Sequence, residues 1–149
     1  MRALLSLGSN IGDRRSLLRE AVASVQPVMI VSPVYETEPL GGPPNQQRYL
    51  NIVIEIDTDL TPRELLGVCH RLEAAADRVR GQRWGPRTLD VDIIWHESGP
   101  VDEPDLVLPH PRMFERRFVM APLADIAPDL APDGWEDHAE GRVDQLGPL

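Results

Sequence analysis

Lysine is missing from this chain: all fifteen of its basic residues are arginine. Without an ε-amine there is no lysine Schiff-base chemistry, and the phosphate-binding lysine of Walker-type nucleotide loops is excluded as well. Cysteine occurs once, at Cys69. That rules out an internal disulfide and the paired-cysteine zinc, haem and redox motifs, so a metal would have to be held by oxygen or histidine. No apolar run approaches the roughly 18 residues of a membrane span. The opening Met1-Arg2-Ala3-Leu4-Leu5-Ser6-Leu7-Gly8 is also too short in apolar residues for a secretion signal. A cytoplasmic protein with no membrane partner is expected. Aromatics are scarce too, with only Tyr35, Tyr49, Trp84, Trp95, Phe114, Phe118 and Trp135 present, so each ring invites the question of what it stacks on.

Acid is plentiful. The 24 acidic residues against 15 basic ones give a net charge of −9, which argues against long stretches of nucleic-acid backbone as a partner. At 149 residues and 42% hydrophobic, the chain has the length and apolar content of one ordinary domain, residues 1–149. Its acidic tail, about residues 125–149, sets seven acids against Arg142 alone and is expected to be solvated surface.

Residues 2–7 read as a strand, and Asp13 can cap a following helix that carries Leu17, Leu18, Ala21, Val22 and Val25. A second strand is expected over about 28–38, with Pro33 tolerated at an edge or bulge. An exposed loop from Pro39 to Gln47 follows. Residues 48–58 alternate as a third strand, with Asn51 on its polar face. Thr61-Pro62-Arg63-Glu64 has the form of a capping box and opens a long helix to about Val79. Residues 88–95 read as a fourth strand. The order β-α-β-β-α-β is the ferredoxin-like α+β arrangement, an antiparallel sheet with two helices packed on it. C-terminal additions follow: a short strand near 106–108, a helix near 112–120, and the tail.

Two constellations carry chemistry. Arg71, Arg78, Arg80, Arg83 and Arg87 are opposed locally only by Glu73 and Asp77. They form either a solvated helix face or a cluster for a compact polyanion, which guanidinium forks suit. Just downstream, Asp90 and Asp92 stand at i and i+2 on the expected strand. Both project from one face, where they could hold hard divalent cations such as Mg2+. Guanidinium, an aromatic (Trp84) and a carboxylate pair together are equipment for a metal-bound nucleoside triphosphate.

The stretch Arg83-Trp84-Gly85-Pro86-Arg87-Thr88-Leu89-Asp90-Val91-Asp92 resembles the signature of the 6-hydroxymethyl-7,8-dihydropterin pyrophosphokinase family, a folate-pathway group. Further blocks in the same order look like that family's: Ser6-Leu7-Gly8-Ser9-Asn10, then Tyr35-Glu36-Thr37-Glu38-Pro39-Leu40-Gly41 with Tyr49-Leu50-Asn51, then Leu108-Pro109-His110-Pro111-Arg112 with Glu115-Arg116-Arg117-Phe118. The resemblance implies transfer of pyrophosphate from ATP to the pterin with release of AMP. It implies two Mg2+ ions on Asp90 and Asp92, and Arg78 and Arg87 at the phosphates in the transition state. Arg80, Arg83, Arg87, Arg116, His110 and Glu73 are implied at ATP, although Glu73 could equally be an exposed helix carboxylate paired with Arg71. Thr37, Leu40, Tyr49, Asn51, Trp84 and Phe118 are implied at the pterin, with stacking from Tyr49 and Phe118. The chain departs from one well-known member of that family at His70, where that member has glutamine, and at Pro111, where it has an aromatic residue. The rival expectation is a noncatalytic ferredoxin-like module that binds an anion or nucleotide. Small-molecule partners, no nucleic acid and a monomer are expected.

Overall fold

The computed structural model describes residues 1–25, 27–37, 47–80 and 89–149, the side chains of 78–80 excepted. Its elements begin β1 (Arg2–Ser9), α1 (Arg14–Ser24), β2 (Val28–Val31), β3 (Val34–Thr37), β4 (Tyr49–Asp57), α2 (Pro62–Arg80) and β5 (Asp90–His96). They continue with β6 (Val101–Glu103), β7 (Leu106–Leu108), α3 (Arg117–Ile126), α4 (Trp135–His138) and β8 (Val143–Gly147). The main sheet runs β5-β1-β4-β3-β8, with β2 beside β4, and its pairings are all antiparallel. The expected α+β, ferredoxin-like arrangement is therefore present, extended by β8 and by a β6-β7 hairpin.

Local sequence explains the helix starts. The Asp13 carboxylate accepts the Ser16 N–H at 3.2 Å. At α2 the Thr61 N–H reaches Glu64 at 3.0 Å and the Glu64 N–H reaches the Thr61 hydroxyl at 3.2 Å, a reciprocal box in front of Pro62. The α2 residues Leu65, Cys69, Leu72 and Ala76 repeat at helical spacing and are buried. With Leu18 and Ala21 of α1, they cover Ala3, Leu5 and Leu7 of β1, Ile52 and Ile54 of β4, and Val91 and Ile93 of β5. The opposite face of the same strands contributes Leu4, Val53 and Ile94 to a second core under Val119, Met120 and Leu123 of α3. That second core covers only one end of the sheet. Further along, the face carries Ser6, Gly8, Asn51, Asp90 and Asp92.

Three expectations change. The single strand over 28–38 is two strands, because the Ser32 hydroxyl and N–H bond the Val53 N–H and carbonyl at 2.9 and 3.0 Å, and Pro33 has no N–H with which to continue the ladder. The helix near 112–120 is a 3-10 turn, Met113–Glu115, followed by α3 after an extended Arg116 at φ −109°, ψ 113°. The tail exposes its carboxylates, yet its backbone folds into α4 and an edge strand that pairs with β3. No helix among the described residues is long and apolar enough to cross a membrane.

Cys69 lies fully inside the first core, and burial, with Glu73 and Asp92 adding to it, pushes its thiol up to about 12. A thiol reagent at pH 8 should label it only after denaturant is added; labelling of the native protein at the rate of a free thiol would contradict this packing.

Candidate active site

Antiparallel register builds the site. Asn51 is the partner of Tyr35 on one side and Gly8 on the other, and Gly8 is in turn the partner of Asp90. One residue pair further, Ser6 is opposite Asp92. Side chains alternate across a strand, so Asn51, Asp90 and Asp92 share the face that α1 and α2 leave alone. Gly8 makes the row possible: a Cβ there would lie 2.6 Å from the Asn51 Oδ1. The amide therefore lies flat across β1, buried, with its Nδ2 donating to the Thr37 hydroxyl at 3.0 Å. Thr37 is the register partner of Tyr49. Burial raises the Tyr49 phenol above its ordinary range, and the charge of Asp90 adds to the shift, so ring and carboxylate are electrostatic neighbours.

Asp92 is exposed, and its carboxylate has no hydrogen bond or ion pair among the described residues. His110 follows β7 and is pinned beside β5 by its N–H to the Ile94 carbonyl at 3.0 Å. Its Nδ1 accepts the Arg112 N–H at 3.2 Å, which leaves the proton on Nε2. Burial lowers its pKa, Asp92 opposes that, and Arg116 and Arg112 reinforce it. The ring is thus a neutral donor within the field of Asp92 and Arg116. The Arg116 guanidinium lies 5.6 Å over the Phe118 ring, itself half-buried against the second core.

The described candidates Thr37, Tyr49, Asn51, Asp90, Asp92, His110, Arg116 and Phe118 are accounted for by this face, the β7-α3 segment and the start of α3. Glu73 stands apart. From α2, on the other side of the sheet, its Oε2 accepts the Val91 N–H at 3.0 Å, filling a donor on a strand that among the described residues pairs only with β1 and steadying the stretch between the two aspartates. Leu40, Arg83, Trp84 and Arg87, and the side chains of Arg78 and Arg80, lie outside the described residues. Gly8 was legible only as part of a motif, although a glycine inside an apolar strand is itself a sign of close approach.

Asp90 and Asp92 present carboxylate oxygens on one face, a donor set that fits a hard divalent cation. No group of three or more histidine, cysteine or acidic side chains is placed to hold a metal ion among the described residues. Such a cation would complete its shell with water or a bound phosphate.

Above pH 6.5 the His110 contribution to stability is constant. Because the native pKa is lowered, the unfolded imidazole protonates first as pH falls, and stability is lost between the unfolded value of about 6.5 and the lower native one. NMR titration of the ligand-free protein should give a His110 midpoint below 6.5 with Nδ1 unprotonated at neutral pH. A midpoint at or above 6.5 would refute the assignment.

The family model described as 7,8-dihydro-6-hydroxymethylpterin-pyrophosphokinase matches residues 4–128. A 2-amino-4-hydroxy-6-hydroxymethyldihydropteridine pyrophosphokinase of Methylorubrum extorquens is 48% identical over 138 residues, 89% of this chain and 87% of that protein. Proteins of the same name are 46% identical in Bacillus subtilis, over 97% of this chain and 87% of the relative, and 42% identical in Pseudomonas aeruginosa, over 89% and 85%. With the family model matching residues 4–128 and relatives matched along most of their length, the chain belongs to the 7,8-dihydro-6-hydroxymethylpterin-pyrophosphokinase family.

Proposed function

We infer that this chain transfers the pyrophosphoryl group of ATP to the hydroxymethyl oxygen of 6-hydroxymethyl-7,8-dihydropterin, releasing AMP, as a step of folate synthesis. The observation that carries the reading to this site is the row across β4, β1 and β5. It sets a buried amide suited to a heteroaromatic edge next to two carboxylates suited to the cation of a nucleotide.

For the pterin, Asn51 and Thr37 supply polar edge partners, and Leu40 is a further pterin contact by its match to the family motif. Tyr49 and Phe118 supply stacking surfaces, with Trp84 as a third ring. For ATP, Asp90 and Asp92 would hold two Mg2+ ions, which neutralise phosphate charge and polarise phosphoryl oxygens when bound. The pterin hydroxyl oxygen forms a bond to the β-phosphorus and gives up its proton to water while the bond from that phosphorus to the α,β-bridging oxygen breaks, and the bridging oxygen leaves with AMP. Catalysis of this kind rests on positioning and charge balance. His110 contributes a neutral Nε2–H donor to a phosphate oxygen, and Arg116 contributes a guanidinium beside it. Arg78 and Arg87 are the first choices for charge that builds in transfer, with Arg80 and Arg83 as further phosphate contacts and Glu73 at the nucleotide through its hold on β5. The functional unit is a single domain over residues 1–149, monomeric and cytoplasmic, acting on small molecules. The net charge of −9 supports the absence of a nucleic-acid partner.

Purified protein given ATP, Mg2+ and the pterin should release AMP only when all three are present. Magnesium-independent anion binding without AMP would favour a noncatalytic module instead. In the same assay Asp92→Ala should lower turnover by about a hundredfold or more. Its side chain is exposed and has no bonded partner among the described residues, so stability should change by no more than about 0.5 kcal/mol. Retained turnover would remove the two-carboxylate assignment.

A further inference from the structure

Two residues of the proposed site come from the start of α3 rather than from the sheet: Arg116 at the N-cap and Phe118 in the first turn. No side-chain capping bond fixes that end of the helix. The segment after α3 fixes it instead. The Glu140 N–H donates to the Glu115 carbonyl at 2.8 Å, and the Arg117 N–H donates to the Glu140 carbonyl at 3.0 Å. The backbone on both sides of Arg116 is thereby tied to a single residue of the tail, a parallel bridge that draws Arg116 out into the extended region.

The Arg117 side chain makes the same attachment from the other direction. Its Nη2 donates to the Glu136 carbonyl at 2.7 Å and to the Ala139 carbonyl at 2.8 Å, and Ala139 is buried in the second core. Its Nε is enclosed and has no partner among the described residues. An unmatched buried donor is costly, so a side chain selected for stability alone would be poorly served by this seat. The far end of α3 is tied as well: the Tyr35 hydroxyl donates to Asp125, and Gln145 of β8 donates to Tyr35 at 3.1 Å. The tail residues in these ties, from Glu136 to Gln145, lie beyond the stretch 4–128 that the family model matches.

We propose that Arg117 is a positioning residue for the reaction: seated on the carbonyls of Glu136 and Ala139, its guanidinium holds the backbone that aims Arg116 and sets the height of the Phe118 ring. The proposal rests on the roles given above to Arg116 at ATP and Phe118 at the pterin. Arg117 touches neither substrate. The Arg116 guanidinium lies over the Phe118 ring, so the two are displaced together when the backbone between them relaxes, and small misplacements at a transfer site are expensive. Both contacts are with ground-state substrates, so the effect falls on both Michaelis constants.

The test is steady-state kinetics on the full chain carrying Arg117→Ala, Arg117→Gln or Arg117→Lys, with Arg116→Ala and Phe118→Ala as references and thermal unfolding recorded for each. Arg117→Ala should raise KM for ATP and for the pterin by about five- to tenfold, with kcat changed much less. Arg117→Lys should restore most of the loss, since an ammonium can donate to the same two carbonyls. If Arg117→Ala does not fold, Arg117→Gln, which keeps one donor, is read in its place. Folded variants with both KM values unchanged, while Arg116→Ala and Phe118→Ala raise theirs, overturn the positioning role and leave the site intact. If the two reference variants leave both KM values unchanged, the roles of Arg116 and Phe118 fail, and the positioning role fails with them.

Discussion

The site depends on the missing side chain at Gly8. β1 is the inner strand between β4 and β5, and all of its residues after Arg2 are buried. At nearly every position along it something must fill the space over the strand, and Leu4 does so for the second core. At Gly8 the space is filled from the neighbouring strand, by the amide of Asn51 with its oxygen where a Cβ would be. This substitution of one strand's side chain for another's sets an amide and two carboxylates on the two strands that flank β1, with no loop between them. Strand backbones hold such a constellation more rigidly than loops do, and transfer chemistry that relies on positioning gains from that.

Electrostatics follows from composition. A chain with no lysine puts every cationic task on guanidinium groups, which stay charged and pair in fixed planes. Several are used structurally: Arg2 on Glu55 and Asp129, Arg63 on Glu103 and Asp105, and Arg14 with Arg48 around Glu36. His110 differs because burial and its bonded Nδ1 keep it neutral. It can donate to an oxygen without adding charge beside the Asp92 carboxylate.

The element order and α2 were legible because period and capping chemistry agree there: Ile52, Ile54 and Ile56 alternate with mostly polar neighbours, and Thr61-Pro62-Arg63-Glu64 is a self-contained helix start. The candidate site was legible as residue types, Asp90 and Asp92 above all, because strand spacing alone puts them on one face. The part that escaped depends on contacts distant in sequence. Ser32 breaks the second strand by bonding Val53. β8 is too polar to announce itself, since Val143-Asp144-Gln145-Leu146-Gly147 gains its pairing from β3 rather than from a buried face. The interruption before α3 is imposed by Glu140, which no local pattern around Arg116 could reveal.

That interruption also accounts for a charge that is otherwise misplaced. Helix N-termini favour acids, and basic groups there cost about 0.3–1 kcal/mol each. α3 nevertheless starts with Arg116 and Arg117 and has no acid in its first turn. Arg117 escapes the penalty in part by giving its guanidinium to two carbonyls. The Arg116 guanidinium lies over the face of Phe118. An arginine and the positive end of a helix stacked together repel one another until an anion lies between them, and then both attract it. The start of α3 therefore carries unopposed positive charge, which the phosphate proposed above for Arg116 would balance, an arrangement in keeping with stability given up for binding of a polyanionic substrate.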